Sequence, residues 1–281
     1  GYFVTRGAAP EATMDQVHYP GTYLAGGYNR LKTKIAGRMV ENEDLVNIPN
    51  WLCFNFRIPG EAWFELKEVT ILFYRQHLNI KKGILNRTIR FRDKKNRETL
   101  LCQHSFVHGE QMHRAGLKTK ITPLNWDGKL EICSALDGRV SNLGVERYRD
   151  LKNVHLDFVE ARHLDETRMI LKMRTNGSCM EIAMGARTEL YFKNKAAEVK
   201  QVPESFIADK AGGYVARHFM VNLTKAASIT IEKLVCIYTS RDSGIYECLS
   251  EAENTITDDG ECFDSLARSH GIVWEFLWRE F

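Results

Sequence analysis

Three histidines are the first residues whose spacing could do chemistry. His104, His108 and His113 fall within the single stretch HSFVHGEQMH. In a strand, His104, Phe106 and His108 share one face, because side chains alternate with a period of two. A zinc centre needs fixed geometry and usually a further ligand. The stretch therefore reads as a strand with polar edge residues, and no metal site is assigned. Carboxylates come next, since paired carboxylates carry glycosidic chemistry. Glu41, Glu43 and Asp44 cluster before LVNIPNW, and Asp137 sits in an Asp-Gly turn. Carboxylates at such places usually bond to nearby backbone N–H groups. No catalytic residue is assigned to them. A nucleophile elbow and a glycine-rich phosphate loop are both missing from the sequence. The third group is aromatic. Trp51 in NIPNWL and Trp126 in PLNWDG lie next to turns. Aromatic rings beside Asn and Asp can hold sugar rings by stacking and hydrogen bonding, although Trp is more often buried. Asn47, Asn50 and Trp51 are the best candidates for a binding surface.

The elements that must position these residues are strands. Leu117, Thr119 and Ile121 alternate with Lys118 and Lys120. After Asp127-Gly128, Leu130, Ile132, Ser134 and Leu136 alternate with Lys129, Glu131, Cys133 and Ala135. That period of two marks half-buried strands. The spacing predicts a hairpin over residues 114–142 with a polar face on each strand. Similar alternation recurs around Phe54, Phe56 and Ile58, over 84–91 and over 100–107. Asn176-Gly177 is the strongest short hairpin signal, and Gly212-Gly213 reads as a further turn. Strands and turns at this regular spacing make an all-β pattern. The tail differs. After Asp259, the residues Phe263, Leu266, Ala267, His270, Val273, Trp274, Leu277, Trp278 and Phe281 repeat at about 3.6 residues, one face of a helix. One sheet face covers part of so wide a stripe. Trp278 and Phe281 are expected to be partly exposed, or covered by a neighbouring copy. The pattern runs to Phe281 without a stop signal, so more protein is expected to follow.

Composition bounds the function. The 281 residues are 44% hydrophobic and 27% charged, with a net charge of +3, ordinary values for a globular chain. The small, scattered positive balance gives no support to nucleic-acid binding. No apolar run approaches the roughly 18 residues of a membrane span. The seven cysteines are odd in number and irregularly spaced, without a CxxC pair. They read as reduced thiols, which makes a cytoplasmic location the expectation.

Several ordered segments carry a family resemblance. They are GY..TRG at 1–7, GTY.AG.YNR at 21–30, LVNIPNWL at 45–52, TPLNW followed by SALDGRVSN at 122–142, and YTSRD at 238–242. Together they resemble the N-terminal domain of glycoside hydrolase family 65, which holds inverting maltose, trehalose and kojibiose phosphorylases. The resemblance implies a large antiparallel two-sheet β-sandwich, a supersandwich like that of galactose mutarotase, with C-terminal linker helices. It divides the chain into a sandwich over 1–242 and a helical linker over 243–281 that leads to an (α/α)-barrel. In the family the barrel carries the catalytic Glu, so this chain alone is expected to be inactive, with no catalytic and no metal-binding residue. The implied whole enzyme phosphorolyses an α-glucosidic disaccharide with inversion. Inorganic phosphate is its co-substrate, and no metal or organic cofactor is implied. The implied partners are the chain's own barrel, the disaccharide and a second copy in a homodimer; nucleic acid and membrane are not among them. Asn47, Asn50 and Trp51 would then face the barrel. A hydrolase of the same family and a stand-alone carbohydrate-binding module are the alternatives.

Overall fold

A computed structural model describes residues 1–13, 18–143, 150–192, 195–196, 200–201, 207–209, 213–258 and 260–280. Gly212, Asp259 and Phe281 lie outside the described residues. In chain order the strands are β1 Phe3–Thr5, β2 Thr22–Leu24, β3 Tyr28–Ile35, β4 Arg38–Leu45, β5 Phe54–Arg57, β6 Thr70–Asn79, β7 Ile84–Arg92, β8 Glu98–Val107 and β9 Arg114–Pro123. They continue as β10 Gly128–Asp137, β11 Leu156–His163, β12 Arg168–Thr175, β13 Glu181–Phe192, β14 Lys195–Ala196, β15 Lys200–Gln201, β16 Ile207–Asp209, β17 Tyr214–Leu223 and β18 Ile229–Thr239. Helices α1, Cys248–Thr257, and α2, Phe263–Arg279, follow.

Two antiparallel sheets face each other, as an all-β sandwich requires. The larger runs β11-β12-β13-β18-β9-β8-β7-β6, with β14 beside β13; the smaller runs β15-β17-β10-β5, with β16 also on β17. Inward side chains of both sheets form one core that includes Ile48, Trp51, Phe54, Ile89, Leu117, Ile132, Leu136, Ile182, Met184 and Val235. Two polar ties cross it. Ser134 on β10 meets Thr188 on β13 at 2.8 Å. The Lys233 ammonium on β18 donates to the carbonyls of Ala135 at 2.5 Å and Cys53 at 3.1 Å. Burial pulls that ammonium down to about 8, because a low-dielectric core penalises its charged form.

The expected hairpin over 114–142 does not form. β9 pairs with β8 and β18 in the larger sheet. β10 pairs with β17 and β5 in the smaller one. The Trp126 side chain is buried between them, its indole N–H donating to Thr99 Oγ1 at 3.0 Å. The chain therefore crosses from sheet to sheet here instead of reversing within one. The polar alternation of β10 is not a solvent face either, since Glu131 and Cys133 are both buried. The hairpin at Asn176-Gly177 does form, as β12 and β13. Its left-handed residue is Cys179, at φ +54°. Gly177 is needed for a different reason: a Cβ there would collide with the backbone of Arg30 and the side chain of Asn29.

Both helices lie on the outer face of the larger sheet. α1 covers Ile170, Ala183 and Cys236 with Leu249, Ala252 and Ile256. α2 covers Phe106 and Leu234 with Phe263 and Leu266. Gly185 and Gly116 allow this close approach, because a Cβ at either would crowd Ile256 or Phe263 at 3.0 Å. The start of α2 is held by charge as well. Lys118 bridges Glu232 at 3.0 Å and Asp264 at 2.7 Å, while Glu232 accepts the Phe263 N–H. Beyond His270 the helix is open: Ile272, Phe276, Leu277 and Trp278 are exposed, Trp278 by 45%. Partial exposure of Trp278 is as expected. Among the described residues no helix is long and apolar enough to cross a membrane.

Candidate functional site

The motif segments other than TPLNW, distant in sequence, meet in one junction at an end of the sandwich, whereas TPLNW lies at the other end of β9 beside Asn96 and Thr99. The centre of the junction is Asn47, whose side chain is 1% exposed. Its Oδ1 accepts the Thr22 N–H at 3.0 Å, and its Nδ2 donates to the carbonyls of Pro20 at 3.1 Å and Ser141 at 3.3 Å. Its backbone N–H donates to Asn142 Oδ1, and Asn142 Nδ2 donates back to the Leu45 carbonyl. Asn50 exchanges both backbone bonds with Asp137, and its side chain accepts the Leu52 N–H. Trp51 fills the core beneath and donates to Thr5 Oγ1 at 2.7 Å. An amide both donates and accepts, so a buried Asn can satisfy three loops at once. Asn47, Asn50 and Trp51 thus face inward. They brace residues 45–52 from within, instead of presenting a surface as the sequence reading expected. The side chains left exposed around them are Leu45, Arg139 and Leu143.

Two further clusters extend the junction. Asn29 is buried and accepts the N–H groups of Gly177 and Ser178, while its Nδ2 bonds to His155 Nδ1 and Asn176 Oδ1. This fixes the root of the β3–β4 hairpin. Desolvation holds His155 below the ordinary histidine range, although Asp44 at 3.4 Å opposes that shift. On the other side, Tyr2 donates to Asp242 at 2.6 Å, and Asp242 also accepts the Thr239 N–H. Burial and this carboxylate keep the Tyr2 phenol protonated far above its usual range. His113 lies between Tyr2 and Tyr238, stacked on the latter at 4.2 Å, and Arg241 donates to the Gly26 carbonyl.

The remaining chemical candidates do not assemble a reacting centre. His104, His108 and His113 are each engaged separately, with Asn86, Ser269 and the Ile237 carbonyl. Glu43 pairs with Arg30, and Glu41 with Arg30 and Lys32, on the exposed β3–β4 hairpin. Glu131 receives both Arg57 nitrogens, at 2.7 and 3.1 Å, and His218 at 2.9 Å. Burial raises the Glu131 carboxyl, but these bonds outweigh it and leave the group below its usual range. Glu181, Glu247 and Cys248 are near enough to share an ion. Lys172 already sits between the two carboxylates, at 2.8 and 2.7 Å. Burial pushes the Cys248 thiol up to about 11, so it is a poor thiolate donor. A cleft of about 500 Å³ opens where residues 58–69 meet the turn between β7 and β8. Its floor is Phe56, Phe64, Phe91 and Trp126, and its rim is closed by Glu61 pairing with Lys95 and Arg97. Among the described residues it holds no pair of free carboxylates.

Known proteins are similar to this chain along nearly its whole length. The family model for the glycosyl hydrolase family 65 N-terminal domain matches residues 1–277. An uncharacterized glycosyl hydrolase of Mycobacterium tuberculosis is 36% identical over 99% of the chain, which spans 20% of that protein. A kojibiose phosphorylase of Thermoanaerobacter brockii is 27% identical over 99% of the chain, and a trehalose 6-phosphate phosphorylase of Lactococcus lactis is 28% identical over all of it. The chain spans 34% and 33% of those two. A solved structure from the human microbiome, provisionally labelled kojibiose phosphorylase, superposes with a TM-score of 0.78 over 97% of the chain at 16% identity, and the chain covers 34% of it. That likeness establishes the same fold.

Proposed function

The chain belongs to the glycosyl hydrolase family 65 N-terminal domain family, and from this premise we propose that it is the non-catalytic N-terminal domain of an inverting disaccharide phosphorylase. The observation that carries the reading is the family match along nearly the whole chain. In the proposed whole enzyme, phosphate attacks the anomeric carbon of an α-glucosidic disaccharide while a barrel Glu protonates the leaving oxygen. The substrate is of the maltose, trehalose or kojibiose kind. No metal or organic cofactor takes part. Residues 1–242 act as the supporting sandwich and 243–281 as the linker. The motif junction contributes from inside: Asn47, Asn50 and Trp51 fix the backbone that carries Leu45, Arg139 and Leu143 toward the barrel. Dimerisation and a cytoplasmic location belong to the same proposal.

A hydrolase of the same family is the second reading. Incubating the purified 281-residue chain with maltose, trehalose and kojibiose, with and without phosphate, tests the non-catalytic role. No glucose or glucose 1-phosphate is expected. Turnover that persists through further purification overturns it. The same assay on a protein carrying the chain and a following barrel separates the two readings, since phosphorolysis consumes phosphate and hydrolysis does not.

A further inference from the structure

Helix α2 meets the larger sheet through two buried imidazoles. His108 follows β8 and His270 lies in the middle of α2, and they are 4% and 1% exposed. The ring centroids are 5.5 Å apart, and Phe106 stacks on His270 at 4.7 Å. Hydrogen bonds dictate their protonation. His108 Nδ1 accepts two backbone N–H groups, from Glu110 at 3.1 Å and Gln111 at 2.9 Å. An N–H cannot face another N–H, so Nδ1 is bare and the proton sits on Nε2. There it donates to Ser269 Oγ at 2.9 Å, and the Ser269 hydroxyl in turn donates a hydrogen bond to the Leu266 carbonyl. His270 repeats the scheme. Its Nδ1 accepts the Gly109 N–H at 3.1 Å, and its Nε2 donates to the Gly83 carbonyl at 3.2 Å. Trp274, one turn on, lies so close over Gly83 that a Cβ there would overlap its ring.

We propose that α2 is a pH-responsive latch, docked on the sheet while both imidazoles are neutral and released beyond its first turns when either is protonated. A second proton on either ring places N–H against N–H and breaks the backbone contact that seats it. The charged groups facing the pair do not compensate. From β9 the neighbour is the Arg114 cation, which disfavours a charged His108, as does His270 itself. From the β6–β7 turn His270 meets backbone at Lys82 and Gly83. Glu110 is exposed. On α2 itself, Asp264 is engaged with Lys118.

Desolvation, then His270 and Arg114, bring docked His108 down to about 4, and desolvation lowers His270 as well. A released ring returns to its ordinary value near 6.5. Both docked values lie below the released ones, so docking is complete above about 6.5 and is lost as pH falls toward 4. His108 alone weakens docking about 30-fold at pH 5 relative to pH 7.5.

Amide hydrogen exchange on the 281-residue chain, corrected for intrinsic rates, tests this at pH 7.5 and pH 5. Protection in residues 266–279 is expected to fall about 30-fold or more, while β13 and β18 keep theirs. In H108N/H270N each Asn Oδ1 keeps an acceptor for the backbone N–H without titrating, and the fall is expected to shrink to a few-fold at most. Loss of protection in helix and sheet together overturns the proposal, as does an undiminished fall in the double variant. Should the variant fail to fold, imidazole ¹⁵N spectra of the unaltered chain decide. Protonation of the two rings in step with α2 exposure supports the latch, and a ring protonated at pH 6 with α2 still protected overturns it.

Discussion

The motif junction and the α2 dock solve one problem with different chemistry. Each fastens a peripheral segment to the sandwich, and each buries polar side chains that bond mainly to backbone. The junction uses amides: Asn29, Asn47, Asn50 and Asn142. The dock uses imidazoles: His108 and His270. An amide is donor and acceptor at every pH, whereas a neutral imidazole loses its acceptor when it gains a proton. The junction is also closed, with Trp51 at 1% exposure, while the dock is half open, with Trp278 at 45%. Burial and chemistry together predict a permanent seam around Asn47 and Asn50 and a conditional one at the dock, while the edge of the junction at His155 shares the dock's sensitivity to pH.

Removing Trp51 gives the largest expected effect. Trp51→Ala empties a core site and removes the indole bond to Thr5, and should cost about 4 kcal/mol in denaturant unfolding. A cost below about 1 kcal/mol would mean that the junction is a loose surface after all. Asn47→Ala comes next, at about 2–3 kcal/mol, because it leaves the buried Thr22 N–H and Pro20 carbonyl without partners.

The pH profile of the whole chain sharpens the comparison. Burial brings His163 to about 4, like His108, with the nearby Arg217 cation adding to it, and burial lowers His155 and His270 as well. Each depressed histidine supports folding above 6.5 and loses that support as pH falls toward 4. Unfolding midpoints should therefore drop across that window. A midpoint flat from pH 7 to pH 4.5 would remove the histidine contrast. The smallest expected effect is that of Trp278→Ser. This change trims an exposed apolar patch with Ile272, Phe276 and Leu277, and costs one indole bond to the Ile80 carbonyl. The melting temperature should move by no more than about 2 °C, while self-association measured by sedimentation weakens. Unfolding instead would make the open half of α2 an integral part of the core.

How much of this was legible in the chain depends on the range of the interaction. Alternation at Leu117, Thr119 and Ile121 and at Leu130, Ile132 and Leu136 identified β9 and β10 as strands. It did not identify their partners, because a short connection permits either a hairpin or a crossing between sheets. Glu131 and Cys133 looked solvent-facing since alternation reports polarity, not what covers it. Asn47, Asn50 and Trp51 stood out beside turns in the sequence, which did not show that their side chains are buried. An Asn beside a turn reads the same whether it points to a ligand or to three carbonyl and N–H groups of its own chain.

The sequence by itself determined the all-β class, the helix stripe that includes Trp274 and Trp278, and, through ordered motifs, the family. These are local or cumulative signals, carried by period, turn residues and matched segments. Tertiary structure alone decided that Tyr2 meets Asp242 across 240 residues and that His108 meets Ser269 across 161. Neither pair has a spacing rule, since a sandwich brings residues together through strand order and not through separation along the chain. The protonation of the two imidazoles was settled there too, because it depends on which backbone N–H groups the fold aims at each nitrogen.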